Sequence, residues 1–263
     1  MPGLAQFIHP GRLAGLIGNT IFFGNYLLLP IFLSGFVFYY WREYGWRWLW
    51  LLIGGLNIIT LLATRSRGPF VGLAAGALVV LLVLVFLGRT RVRVIGGLLL
   101  AAMTGILILG YTVPAFRETL PAKAQFVFSV SPASGTGQTR LMAWQIAFKS
   151  WQERPLFGHG PESYQNVFDR LYNPEFLKFS FSETVWDQPH NYSLEILSSR
   201  GLVGLVLYWS LIVALIIYLW RLVRTDAGRG YIFLLGGVVG YITQLTFSFE
   251  TANSWQIWWL LLA

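Results

Sequence analysis

"PFVGLAAGALVVLLVLVFLGRTRVRVIGGLLLAAMTGILILGYTV", Pro69 to Val113, is two apolar runs separated by three arginines. Neither 69–87 nor 94–113 contains a charged residue. A helix needs roughly 20 apolar residues to cross about 30 Å of hydrocarbon. In lipid, only a helix or a closed barrel satisfies its own backbone polar groups. The runs are continuous rather than alternating, so they read as a pair of membrane-spanning helices joined by the turn at Arg89, Arg91 and Arg93.

Four further uncharged runs extend this pattern, at 20–40, 48–63, 201–219 and 231–249. The run at 48–63 is short and predicts little tilt. "SWQIWWLLLA" starts a seventh at Ser254 and meets the C-terminus too soon to span, so the chain is expected to be a piece of a longer one. Composition agrees with a membrane protein. Of 263 residues 56% are hydrophobic and 11% charged, against about 25% charged in soluble domains. There is no cysteine, which excludes disulfides, thiolate nucleophiles and cysteine metal sites. The first nineteen residues lack the basic start and continuous apolar core of a signal peptide.

A net charge of +8 would suggest nucleic acid in a soluble protein; here membrane topology accounts for it. Arg42 and Arg47 lie between the first two spans, Arg89, Arg91 and Arg93 between the third and fourth, and Arg221, Arg224 and Arg229 between the fifth and sixth. Alternating spans put all three loops on one side, and arginine-rich short loops stay in the cytoplasm. The "ATRSRGP" turn, the long segment 114–189 and the "FSFETANS" turn then fall outside. The expected organisation is four spans in 1–113, an outer loop domain in 114–189, and the remaining spans, the last truncated, in 190–263.

Some cations oppose this rule. Arg65 and Arg67 occupy a short outer turn, and Arg67 opens the third span, where a positive charge opposes the helix dipole. They read either as anchors reaching outer-leaflet phosphates or as an anion site, since arginine forks match phosphate oxygens and a helix start offers free N–H groups. In the outer segment, Leu141, Trp144, Phe148 and Trp151 recur at 3, 4, 3 spacing and predict an amphipathic helix from Gln138 to Glu153, lying on or near the outer membrane surface. Arg140 is placed in its first turn. His159 stands on a Gly158–Gly160 turn. His190 follows Pro189 at the doorstep of the fifth span, with Asn191 or Ser193 as candidate helix cap.

Several chemical tool kits are missing. There is no Asp-x-Asp pair, no phosphate-cradling glycine loop of either common kind and no HExxH. Arginine and histidine remain, grouped on the outer face. That set suits a reaction that expels a phosphate or pyrophosphate: arginines neutralise the leaving group's charge, and an imidazole takes a hydroxyl proton. Outside the cell, a donor would carry its energy in a lipid-linked phosphate.

"RLAGLIGNTIFFGNYLL" (12–28), "SRGPFVGLAAGALVVLL" (66–82), "TRLMAWQIAFKSWQERPLFGHGPESY" (139–164) and "PHNYSLEILSSRGLVGLVLYW" (189–209) follow one another in an order that resembles the O-antigen ligase/polymerase superfamily. The resemblance rests on an Arg…Gly-x-x-Gly-Asn opening, a Ser-Arg-Gly span, a loop Arg with Pro-Leu-x-Gly-x-Gly, and a His-Asn-x-x-Leu…Gly-Leu-x-Gly signature. Where the family has Asn-Pro-Asn this chain reads "NTI", so Asn19 is kept without the proline, and His159 stands where a small apolar residue is usual.

The resemblance implies an all-α, polytopic transmembrane bundle of GT-C-like kind, with one long periplasmic loop carrying short amphipathic helices. It implies a metal-independent, cofactor-free glycosyltransferase in the bacterial inner membrane. A glycan would pass from undecaprenyl pyrophosphate to an acceptor hydroxyl on lipid A–core, in lipopolysaccharide biosynthesis. Alternatives are a polymerase, whose acceptor is another lipid-linked glycan, and a protein O-oligosaccharyltransferase; outside enzymes, a polysaccharide or lipid transporter or a scaffold subunit. Expected partners are the donor, the acceptor and the bilayer, not nucleic acid. It assigns His190, Arg67 and Arg140 to catalysis and Arg65, Asn191, Arg12 and Asn19 to substrate binding. A transporter would place ionisable groups at mid-membrane, and the spans carry none.

Overall fold

The computed structural model describes residues 12–120, 125–129, 135–179, 185–225 and 228–262. Residues 1–11, most of the stretch distinguished from a signal peptide, lie outside the described residues. Among the described residues there is no strand. The helices are α1 (Thr20–Tyr40), α2 (Arg47–Thr64), α3 (Arg67–Leu87), α4 (Thr90–Thr112), α5 (Pro114–Thr119), α6 (Gly135–Glu153), α7 (Tyr164–Arg170), α8 (Tyr192–Val223), α9 (Tyr231–Leu245) and α10 (Ala252–Leu262). Short 3₁₀ turns occupy Gly15–Ile17, Phe126–Ser129 and Pro174–Lys178. The protein is an all-α, polytopic membrane protein.

α1, α2, α3, α4 and α8 are long and apolar enough to cross a membrane. α9 is not: its 15 residues rise only about 22 Å at 1.5 Å each. The apolar run to 249 predicted a longer sixth span, but the chain leaves the helix after Leu245 and Phe249 packs against the His190 ring instead.

The chain divides into two compact units. The first comprises Met1–Ser129, Ile216–Gln244 and Thr251–Ala263. α1 is its central element, packed on α2 and α3, with Leu27, Leu28, Leu29 and Phe32 buried. α3 and α9 meet backbone to backbone. A Cβ added at Gly72 would stand 2.5 Å from the Gly240 carbonyl oxygen, and one at Gly76 2.4 Å from that of Gly236. The relation is mutual, since Cβ atoms at Gly236 and Gly240 would lie 2.8 and 2.6 Å from the Gly76 and Gly72 oxygens. Two small-xxx-small faces thus interlock. Such close approach drives helix pairing in lipid, where burying apolar surface gains nothing. α4 leaves Leu98, Leu99, Ile106 and Ile108 exposed, as a lipid-facing helix does.

The second unit comprises Val130–Leu215 and Leu245–Glu250. Its core packs Ala143, Ile146 and Ala147 of α6 against Tyr164, Val167 and Phe168 of α7, with Phe176 and Trp186. The Tyr164 hydroxyl donates to the Ala143 carbonyl at 2.8 Å. The inward face of α6 is therefore centred on Ala143, Ile146 and Ala147. Leu141 and Phe148, from the apolar stripe that suggested the helix, point outward and are 39% and 45% exposed. α6 also begins three residues before Gln138, so Arg140 sits in the second turn, where opposition from the helix dipole has faded.

Candidate functional site

One group of predicted residues gathers in the first unit, at the turn between α2 and α3. Arg65 closes α2 in a left-handed conformation (φ 50°) and Arg67 is the first residue of α3. Arg12 lies against this turn from 52 residues away. Its Nε donates to the Thr64 carbonyl at 3.0 Å, and its Nη2 to the Arg65 carbonyl at 3.3 Å and the Ser66 hydroxyl at 3.4 Å. The orphan carbonyls at the end of α2 thus receive a cationic cap. Ser66 Oγ donates to the Thr20 carbonyl at 2.9 Å, tying the turn to the start of α1.

Three guanidiniums share this corner. Burial, followed by repulsion from Arg65 and Arg67, lowers the Arg12 pKa. An anion at the turn would relieve that repulsion. Arg67 is exposed and Arg65 half-buried, and Arg12 donates to the backbone of the turn. Asn19 likewise has structural work: its Oδ1 accepts from the N–H groups of Ile21 (2.8 Å) and Phe22 (3.3 Å), capping α1.

The second group lies in the second unit. His190 has a left-handed backbone (φ 53°), uncommon for a non-glycine residue. Its ring is held edge-on between Trp186 (4.7 Å between centroids) and Phe249 (5.1 Å). Nδ1 lies 3.2 Å from the Gln188 carbonyl oxygen. A carbonyl can only accept, so Nδ1 carries the proton in the neutral ring and Nε2 keeps its lone pair. Burial, then the charge of Arg140, push the His190 pKa down to about 4, with the Gln188 bond and Asp187 opposing. The ring is therefore neutral at pH 7. Asn191 Oδ1 accepts from the Leu194 N–H at 3.2 Å and so caps α8; of the two cap candidates, Asn191 is the one used. Trp186 joins the aromatic core to His190, packing on Phe168 and Phe176 as well.

A break in α8 accounts for two of the sequence motifs. Gly201 is non-helical (φ 65°, ψ −166°). In an unbroken helix the N–H groups of Leu202 and Val203 would bond to the Ser198 and Ser199 carbonyls. They bond instead to the carbonyls of Pro155 (2.8 Å) and Leu156 (3.2 Å). The freed Ser198 and Ser199 carbonyls accept from the N–H groups of His159 (3.0 Å) and Gly160 (2.8 Å). Two helical bonds are exchanged for four bonds to "PLFGHG", leaving none of these groups orphaned. Only glycine permits this approach. A Cβ at Gly201 would come 2.3 Å from the Leu156 carbonyl, and one at Gly158 2.4 Å from that of Ser199. His159 fastens the turn from the other side: its Nε2 meets the Ser150 carbonyl at 3.0 Å, and Ser150 and Ser198 hydroxyls are bonded at 2.8 Å.

Arg12, Asn19, Arg65 and Arg67 are thus assembled in one unit, and Arg140, His190 and Asn191 in the other. Sequence reasoning overlooked Glu195, one turn into α8, whose Oε2 is buried with no hydrogen-bond partner among the described residues. Its place on the His-Asn-x-x-Leu-Glu run was the available signal. Among the described residues no group of three or more His, Asp or Glu side chains is placed to hold a metal ion.

A family model described as O-antigen ligase matches residues 52–209, which include Arg65, Arg67, Arg140, His190 and Asn191 but not Arg12 or Asn19. No curated protein matches the chain.

Proposed function

The chain belongs to the O-antigen ligase family, and from that premise we propose that it moves a glycan from undecaprenyl pyrophosphate to a hydroxyl of lipid A–core at the periplasmic face of the inner membrane, without a metal. The acceptor O–H gives its proton to His190 Nε2. Its oxygen bonds to the anomeric carbon, and the bond from that carbon to the pyrophosphate oxygen breaks. Arg65, Arg67 and Arg140 neutralise the charge on the departing diphosphate. Arg12 shapes the arginine turn through the carbonyls it caps, and Asn19 and Asn191 hold the starts of α1 and α8.

The observation that carries this reading is the state of His190: a neutral imidazole whose Nδ1 proton is committed to Gln188, leaving Nε2 as acceptor. The outer location is supported by span alternation and by the arginine-rich turns on the opposite side.

The test is transfer by purified protein supplied with undecaprenyl-pyrophosphate glycan and, in separate reactions, lipid A–core, a second lipid-linked glycan or a hydroxyl-bearing peptide. Transfer to lipid A–core that is unchanged by EDTA is expected. Transfer only to the second glycan would identify a polymerase, and loss of activity with EDTA would remove the metal-free mechanism.

A further inference from the structure

The first unit contains a cavity of about 700 Å³, and no residue that lines it is assigned to glycan transfer. Its walls are apolar: Val83, Leu84 and Leu87 of α3, Val92 of α4, and Ile232 and Phe233 of α9. Three arginines line it as well, Arg42 after α1, Arg89 before α4 and Arg229 before α9, and among the described residues no acidic side chain does. Arg42 lies 5.8 Å over the Tyr39 ring, which also lines the cavity.

A second feature points the same way. α4 starts at Thr90 with no side-chain cap, and Gly88, Arg89 and Val92 of that start line the cavity. The uncapped N–H groups and positive dipole end of a 23-residue helix therefore open onto the space that the arginines line. Arg93 does not compete for it, since Nε and Nη2 donate to the Gly88 and Phe86 carbonyls at 2.7 and 3.2 Å.

Cations at the end of a membrane-spanning bundle, beside an apolar recess, match a molecule with an anionic head and hydrocarbon tails. We propose that this cavity binds one anionic phospholipid from the leaflet facing the arginine-rich turns. Its phosphodiester sits against Arg42, Arg89, Arg229 and the α4 amides, with an acyl chain along α3 and α9. Basic pockets between spans on this side suit such head groups. The lipid would add contacts to α3, α4 and α9 and to the end of α1. This site is independent of the glycan-transfer reading.

The test uses the whole chain in nanodiscs of equimolar phosphatidylglycerol and phosphatidylcholine, then native mass spectrometry after mild detergent release. Wild type is expected to retain phosphatidylglycerol over phosphatidylcholine by roughly tenfold or more, given about one strong interaction per arginine. The Arg42→Gln/Arg89→Gln protein should lose this preference. Arg221→Gln/Arg224→Gln, with the same change in charge on the same side, should keep it. Leu87→Trp, which fills the cavity and leaves every arginine in place, should also lose it. Millimolar inorganic phosphate should displace nothing. Absence of a preference in wild type, which needs no variant, would overturn the proposal. Equal loss in the two arginine pairs would too, by showing a diffuse surface effect, and displacement by phosphate would show that the ligand is a free anion.

Discussion

Replacing His190 with alanine is expected to reduce glycan transfer by about a hundredfold or more, with expression and membrane insertion unchanged. A positioned general base contributes about 10² to 10⁴ in rate, and among the described residues no other histidine ring is in contact with His190. His159, the other described histidine, has its Nε2 against the Ser150 carbonyl at 3.0 Å and cannot substitute. The left-handed backbone at His190 complicates a simple reading, because alanine tolerates φ 53° poorly. His190→Asn resolves this: asparagine accepts that conformation and has no basic nitrogen. Both variants should lose activity equally, as measured by acceptor glycosylation per mole of inserted protein. Transfer at the wild-type rate in His190→Asn would remove the imidazole from the mechanism.

Arg67→Lys is expected to lose most activity, about tenfold at the least. Lysine keeps the charge but not the planar fork that meets two phosphate oxygens together. Positioned donors of this kind are worth about 10² to 10³ in rate when removed outright. Arg67 is the exposed member of its cluster and the first residue of α3, so its guanidinium is within reach of a ligand at the turn. The loss should appear in transfer assays at saturating acceptor. If Arg67→Lys works normally, Arg67 is a membrane anchor.

Five of the six expected spans were legible from apolar run length, whereas the run at 231–249 gave only the 15-residue α9; the starts of α3 and α8 were legible from Arg67 and the residues around Asn191. Their neighbours across the chain were not. Arg12 caps a turn 52 residues away, a contact no local pattern encodes. The break at Gly201 was hidden because "SSRGLVGL" reads as uninterrupted helix, and its cause is a backbone exchange with residues 155–160. The "GLAAG" and "GGVVG" segments carry the spacing of close-packed membrane helices; what sequence withholds is that each is the other's partner. The amphipathic stripe on α6 was read from Leu141, Trp144, Phe148 and Trp151, whereas the buried face is centred on Ala143, Ile146 and Ala147, leaving Leu141 and Phe148 exposed. Large apolar side chains mark an inner face in water, but beside a membrane they can equally mark the outer one.

The low basicity of His190 gives the most direct measurement: kcat/KM for transfer between pH 7.5 and 5.5. Only the neutral ring can accept a proton, and protonation is held back to about pH 4 by burial and Arg140, against the opposing Gln188 carbonyl and Asp187. The rate constant should be nearly flat across this range, because Nε2 stays free throughout. An ordinary solvated histidine, with pKa about 6.5, would instead lose about tenfold by pH 5.5. A fall of that size, centred near pH 6.5, would contradict a buried neutral His190 as the base that activates the acceptor.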